Sequence, residues 1–211
     1  MRILVTRPRD DAEGFAEKLR ARGHAVLIEP LLDIRHLPGV TVDLDGVQAL
    51  LFTSANGVRA FAAASPRRDL GVLAVGDATA AAARAVGFNA VQSAGGNVED
   101  LARLAIAVLR PANGALFHAA GSAIAGDLSG RLEAAGFSVR RAVLYRAETA
   151  TALTAETRAA LASGAVDVVA LFSPRTAKTF ASLAIAAGLR DSCAKAAMLD
   201  LSPAVIDAAA S

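Results

Sequence analysis

The 211-residue chain contains no tryptophan, a single tyrosine and eight phenylalanines, so aromatic residues make up only 4% of it. So few rings offer no stacking platform for bases, and helices are expected to pack on small side chains, chiefly alanine, rather than on large aromatic clusters. A single cysteine, Cys193, excludes an internal disulfide, and no CxxC or His/Cys cluster has metal-ligand spacing. No metal is therefore expected, and a reducing cytoplasm suits the composition. Charge of one sign is also missing: 22 Lys+Arg face 20 Asp+Glu, a formal net charge of +2. Without a clustered basic run to track phosphates, no nucleic-acid partner is expected. No apolar run approaches the ~18 residues of a membrane span, and the amino-terminal Ile3-Leu4-Val5 is too short for a signal peptide, so no membrane partner is expected either.

Several familiar motifs are absent as well. No GxGxxG follows the first apolar run, and neither GxxxxGK[ST], HExxH nor GxSxG occurs, which argues against nucleotide binding, zinc-dependent proteolysis and serine hydrolysis by those routes. His24, His36 and His118 are scattered without a Ser or Cys partner at recognisable spacing, and read as surface or strand-end residues.

What the chain does have is a 54% hydrophobic content with 20% charged residues, enough for a sizeable core. Short apolar runs alternate with amphipathic stretches. Strands are predicted over 2–6, 25–29, 48–52, 72–75, 90–92, 115–117, 138–145 and 166–172. Helices are predicted from Asp10 to Gly23, from Asn56, over 79–86 and 98–109, near 124–135 and over 155–162. This β/α rhythm implies parallel sheets. Two segments, 31–37 and 146–150, read as extended linkers.

An internal repeat is visible. LFTSANGVRAF begins at Leu51 and LFSPRTAKTF at Leu171, 120 residues later, and VGDATAAAA at Val75 resembles DLSPAVIDAA at Asp200. Each is an apolar strand, a hydroxyl or small residue, then a helix start, so two similar domains are the simplest reading. The repeat places Thr53, Ser54, Asn56, Thr79, Ser173, Thr176 and Ser202 just after predicted strands and at predicted helix starts. In open parallel sheets that is where ligands bind, at helix N-termini with unpaired N–H groups. Any one of these residues can equally be a simple helix cap.

Seven motifs in register, VTRP at Val5, FTSANGV at Phe52, VGDATA at Val75, GNVEDL at Gly96, VLYRAE at Val143, LFSPRTA at Leu171 and LSPAV at Leu201, resemble those of the uroporphyrinogen-III synthase family over nearly the whole chain. The resemblance implies an α/β fold of two similar parallel-sheet, flavodoxin-like domains joined by a two-stranded extended linker. The first domain would be discontinuous, residues 1–35 with 150–211, and the second would be 36–149. Family members continue past the LSPAV helix with roughly one more strand and helix, so the first domain is expected to be one element short.

The same resemblance implies a lyase that needs no cofactor. Its substrate would be hydroxymethylbilane, a linear tetrapyrrole carrying eight carboxylates. Loss of the hydroxymethyl oxygen gives an azafulvene, the substituted carbon of ring D attacks it, and the spirocyclic intermediate breaks and recloses with ring D inverted. Spontaneous closure occurs without inversion, so holding the chain in the disfavoured geometry is the enzyme's task. Tyr145 matches the family's Tyr on the return strand, whose phenol assists departure of the hydroxyl; packing in a linker is its other reading. Thr53, Ser54, Asn56, Thr79, Gly121, Ser173 and Thr176, with Arg7 and Arg175 as cations, are the candidate contacts for the carboxylates. Ala120 stands where many relatives carry a charged or polar residue, so a weaker grip is expected beside Gly121. A monomer is expected. Outside enzymes, the features also fit a non-catalytic binding protein or sensor for an anionic small molecule, whereas a scaffold would not need paired hydroxyl-rich strand ends.

Overall fold

The computed structural model describes residues 1–123 and 126–200. From the amino terminus the chain forms β1 (Arg2–Val5), α1 (Arg9–Arg20), β2 (Ala25–Ile28) and β3 (Leu32–His36). It continues through β4 (Val47–Phe52), α2 (Ala55–Ala64), β5 (Gly71–Ala74), α3 (Asp77–Ala85), β6 (Val91–Ser93) and α4 (Val98–Val108). After a 3-10 turn at Pro111–Asn113 come β7 (Ala115–Gly121), α5 (Leu128–Ala134), β8 (Val139–Thr149) and α6 (Ala155–Ala162). The last described elements are β9 (Val168–Leu171), α7 (Pro174–Ala186), the single turn α8 (Arg190–Cys193) and β10 (Ala197–Asp200).

The chain divides into two compact units, Met1–Asp33 with Glu148–Ser211, and Ile34–Ala147. In the first unit four parallel strands lie in the order β10-β9-β1-β2. Ile3, Leu4 and Val5 are buried on both faces, the pattern expected of a parallel strand covered by helices on either side. Leu4, Leu27, Val169 and Leu171 pack with Leu161 and Phe180 on one face, and Ile3, Val5 and Ala170 with Ala12 on the other. Gly23, with φ +80, closes α1 in the left-handed conformation that a side chain would strain. A buried carboxylate, Glu29, accepts the Thr154 backbone N–H at 3.2 Å and the hydroxyls of Thr154 and Thr157, which fastens the start of α6 to the end of β2.

In the second unit the sheet order is β3-β8-β7-β4-β5-β6, and the pairs from β8 to β6 are parallel. By connection and neighbour, β10, β9, β1 and β2 of the first unit correspond to β5, β4, β7 and β8 of the second. One face of this sheet buries Leu51, Leu116 and Leu73 under α4 and α5. The opposite face buries Phe52, Phe61, Phe88 and Phe117 together, with ring centroids 5.7–6.1 Å apart. Half of the chain's phenylalanines thus form one cluster, contrary to the expectation of purely small-residue packing. Scarcity in composition does not disperse the rings: the space between β4, β7 and α2 needs volume, and the alanines of α2 and α3 leave it to phenylalanine.

Three other readings are corrected or refined. The segment 146–150 is extended as expected, but it is also part of a sheet strand, because β8 runs on to Thr149. The segment 31–37 includes β3, at the edge of the second sheet. Strand β7 extends through His118 to Gly121, all of it buried, whereas the polar His118 had marked its end. The helix expected near 124–135 is described as Leu128–Ala134, and residues 124 and 125 of that expectation lie outside the described residues.

Helix α2 approaches β7 closely. A Cβ on Gly57 would sit 2.7 Å from the Ala119 carbonyl oxygen, a backbone atom of a buried strand that cannot swing aside. Alanine in an ordinary helix position would stabilise by ~1 kcal/mol; here Gly57→Ala is expected to destabilise by ~1–3 kcal/mol through overpacking. A urea midpoint equal to or above that of the wild type would refute the close approach.

Candidate functional site

In each sheet the chain winds outward in both directions from one central pair of strands, β4 and β7 in the second unit, β1 and β9 in the first. A crevice opens beyond the carboxyl ends of such a pair, the place where open α/β sheets hold ligands.

In the second unit, Ser54 follows β4 and caps α2, its hydroxyl accepting the Gly57 N–H at 3.0 Å. The same oxygen lies 2.7 Å from the Tyr145 hydroxyl. Tyr145 reaches it because the register of β7 and β8 shifts between Ala120 and Gly121, pairing Gly121 with Tyr145. A Cβ on Gly121 would fall 2.7 Å from Tyr145 Cζ and 2.8 Å from its hydroxyl oxygen, so the ring lies directly over the glycine. Ser122 N–H donates to the Tyr145 carbonyl at 2.9 Å and holds this end of the strand pair. Capping and contact with Tyr145 are thus not alternatives for Ser54, which does both.

On the opposite face of the same strands lies a polar group that sequence reasoning missed. Thr53 Oγ1 is 3.3 Å from His118 Nε2. His118 is only 7% exposed, and its Nδ1 is buried without a hydrogen-bond partner among the described residues. It is therefore neither a surface nor a strand-end residue. Burial, reinforced by the positive charge of Arg141, pushes its pKa down from 6.5 to about 4, so the ring is neutral near pH 7. Arg141 Nη2 donates to the Gly121 carbonyl at 2.7 Å. The available signal was the lone polar residue in the apolar run Ala115-Leu116-Phe117-His118-Ala119-Ala120; Arg141 gave none, because its relevance depends on the pairing of β7 with β8.

Asn56 and Thr79 lie in the first turns of α2 and α3. The Asn56 side-chain oxygen accepts from Arg59, and Thr79 is 5% exposed. In the first unit the Arg7 guanidinium stacks over the Phe172 ring, 4.8 Å from its centroid. Ser173 caps α7 and shares a reciprocal capping box with Thr176: Ser173 Oγ accepts the Thr176 N–H at 3.2 Å, and Thr176 Oγ1 accepts the Ser173 N–H at 3.1 Å. Thr176 is buried, its hydroxyl turned to the cap. Arg175 is exposed and donates to Thr149 Oγ1 at 2.9 Å. Ser202 and the rest of the LSPAV motif lie outside the described residues. Among the described residues no cluster of three or more His, Cys, Asp or Glu could hold a metal, and no helix is long and apolar enough to cross a membrane.

Thus each unit carries hydroxyls, N–H groups and an arginine at the carboxyl ends of its central strands, a donor surface suited to carboxylates. Comparison with known proteins gives this arrangement a lineage. Among solved structures, a uroporphyrinogen-III synthetase from Helicobacter pylori matches with a TM-score of 0.60 at 17% identity, covering 100% of this chain and 99% of that one. A mutant uroporphyrinogen III synthase from the extremely thermophilic bacterium Thermus thermophilus matches with a TM-score of 0.55 at 19% identity, covering 99% and 87%. At such identities the likeness is one of fold. A candidate uroporphyrinogen-III synthase of Methanocaldococcus jannaschii is 36% identical over 58 residues, 28% of this chain and 24% of that protein, so the match spans under a quarter of that relative's length. The family model for uroporphyrinogen-III synthase HemD matches residues 13–211, nearly the full sequence. The chain belongs to the uroporphyrinogen-III synthase HemD family.

Proposed function

We propose that the chain is a lyase that closes hydroxymethylbilane to uroporphyrinogen III, inverting ring D and releasing one water. The observation that carries the reading is the Tyr145 hydroxyl lying over Gly121, 2.7 Å from the oxygen of Ser54. Ser54 already accepts the Gly57 N–H at the positive end of α2, which leaves its own proton to donate to the Tyr145 oxygen. Tyr145 then points its O–H toward the hydroxymethyl oxygen and helps it leave as water. The C–O bond breaks, ring D attacks through its substituted carbon, and after the spirocyclic intermediate reopens and recloses, the α-carbon of ring D gives up the proton that balances the departed hydroxide. No strong base is required, because the selectivity comes from how the substrate is held.

In this reading Thr53, Asn56, Thr79 and the backbone at Gly121 receive substrate carboxylates in the second unit, with Ser54 orienting Tyr145, and Arg7, Ser173 and Arg175 receive them in the first. Arg7 is supported by its stacking on Phe172, which fixes the guanidinium while leaving its N–H donors in the plane of the fork. Thr176 contributes through the cap it builds with Ser173.

The test is to add the protein to freshly generated hydroxymethylbilane, oxidise the products and separate the uroporphyrin isomers. Type III above the spontaneous background is expected; type I alone overturns the reading. Tyr145→Phe is expected to lower kcat by about a hundredfold, the lower end of proton-transfer assistance. Unchanged turnover would remove Tyr145 from the chemistry.

A further inference from the structure

We propose that Arg141 binds a carboxylate of the substrate at the carboxyl end of the β4/β7 crevice, and that His118 is a positioning residue that aims the Thr53 hydroxyl at the same group. The proposal rests on the synthase reading and adds two residues to it.

Three adjacent strands bring these side chains to one face. Leu51 of β4 pairs with His118 of β7, and His118 pairs with Arg141 of β8. Residues paired in parallel strands point the same way, and Thr53, two positions beyond Leu51, continues the Ala49-Leu51 face. Val139 and Leu116, two pairs earlier and on the same face, belong to the apolar cluster under α4 and α5. Along this face the sheet therefore changes from apolar core to a polar patch as it reaches its carboxyl end, where a ligand would lie.

Arg141 is exposed, and its one described hydrogen bond is the 2.7 Å contact from Nη2 to the Gly121 carbonyl. No carboxylate among the described residues pairs with it. That contact uses one of five N–H donors and holds the guanidinium at the strand end, leaving the remaining donors for a bidentate carboxylate.

His118 decides the direction of the Thr53 bond. A neutral imidazole carries one N–H. With the proton on Nδ1, a buried N–H would have no acceptor, since that atom has no hydrogen-bond partner among the described residues; buried orphan N–H groups are rare. With the proton on Nε2, the N–H donates to Thr53 Oγ1, and the orphaned atom is only a lone pair. Thr53 must then turn its own proton away from the ring. A hydroxyl that would otherwise rotate between donor and acceptor becomes a fixed donor on the sheet face that also carries the Arg141 guanidinium, a combination that suits a carboxylate.

The experiment measures two quantities on the full chain: steady-state kinetics with hydroxymethylbilane, and the Kd of uroporphyrin I, an unreactive octacarboxylate. Arg141→Gln is expected to raise both KM and Kd by about tenfold, the loss of one charge-assisted contact, with kcat changing less. His118→Leu is expected to raise KM severalfold, with Thr53→Val doing the same and the double variant no worse than either single one. His118→Gln, whose amide N–H reaches the position of Nε2, is expected to recover most of the loss. KM and Kd of Arg141→Gln within twofold of the wild type would overturn the arginine's role. Equal KM for His118→Leu and wild type, or no rescue by His118→Gln, would overturn the histidine's. If the wild type makes no type III isomer yet Arg141→Gln weakens uroporphyrin I binding, the synthase reading fails and the carboxylate site stands. Type III made equally well by wild type and Arg141→Gln, with unchanged Kd, leaves the synthase reading standing and removes the carboxylate site.

Discussion

Gly121→Ala is expected to lower kcat about as far as Tyr145→Phe does, by about a hundredfold, at little cost in stability. The added Cβ would sit 2.7–2.9 Å from Tyr145 Cζ, Oη and Cε2. Those atoms are the far end of a side chain that can rotate, unlike the carbonyl facing Gly57. Gly121 is not among the glycines with positive φ, so alanine strains no backbone there. The ring gives way and the 2.7 Å bond to Ser54 is lost. One methyl group thereby separates catalysis from folding: the thermal midpoint stays near that of the wild type while turnover falls. The double variant Gly121→Ala/Tyr145→Phe should be no slower than Tyr145→Phe alone, since both changes remove the same hydroxyl from its place. A Gly121→Ala protein with wild-type kcat would show that the position of the ring over the glycine is irrelevant to the reaction.

Stability is expected to fall as pH is lowered from about 6.5 to about 4, with His118 as a principal cause. Its pKa is 6.5 in the unfolded chain and about 4 in the folded one. Between those values the unfolded state binds the extra proton and the folded state does not, so stability rises with pH across that window. The contribution is fully present above the unfolded pKa and is lost as pH falls through the folded one. A shift of this size corresponds to about 3 kcal/mol. His118→Leu cannot take up the proton, so its stability should change less over the same range; carboxylates titrate in both proteins, and the difference between the two curves isolates the imidazole. Chemical denaturation at pH 7, 5.5 and 4.5 measures it. Parallel curves for the two proteins would mean that the ring is already accessible to protons in the folded state.

The sequence made some parts legible because their signal is local. An apolar run ending in hydroxyls and followed by an alanine-rich stretch reads as strand, cap and helix without knowledge of neighbours, and Ser54 and Ser173 both cap helices. Helix α6 has the limits read from periodicity. What depended on pairing was hidden. That Gly121 meets Tyr145 follows from a register shift between two strands, and no spacing along the chain encodes it. His118 stood out as polar but carried no partner at a recognisable interval, because its partner Thr53 lies 65 residues away across the sheet. Arg141 carries no signal of its own in the sequence, and its place follows from the pairing of β8 with β7. The return segment is extended, as its reading as an extended linker implies; what its polar residues Arg146, Glu148 and Thr149 hide is membership of a sheet strand, which only continuity with β8 shows.

The division of the chain also sets an order of events during synthesis. Strands β4 to β7 find their neighbours within one contiguous stretch, so the second unit can close soon after Ala147 leaves the ribosome. Strand β1 has β2 on one side early, but its other neighbour, β9, lies far downstream, where Arg2 N–H meets the carboxylate of Asp167 across 165 residues of sequence. Until then an edge made of Ile3, Leu4 and Val5 stays open, an invitation to pairing with other nascent chains. A strand synthesised early is thus protected late, and the pace of translation through residues 148–171 should govern how much of the product is recovered folded.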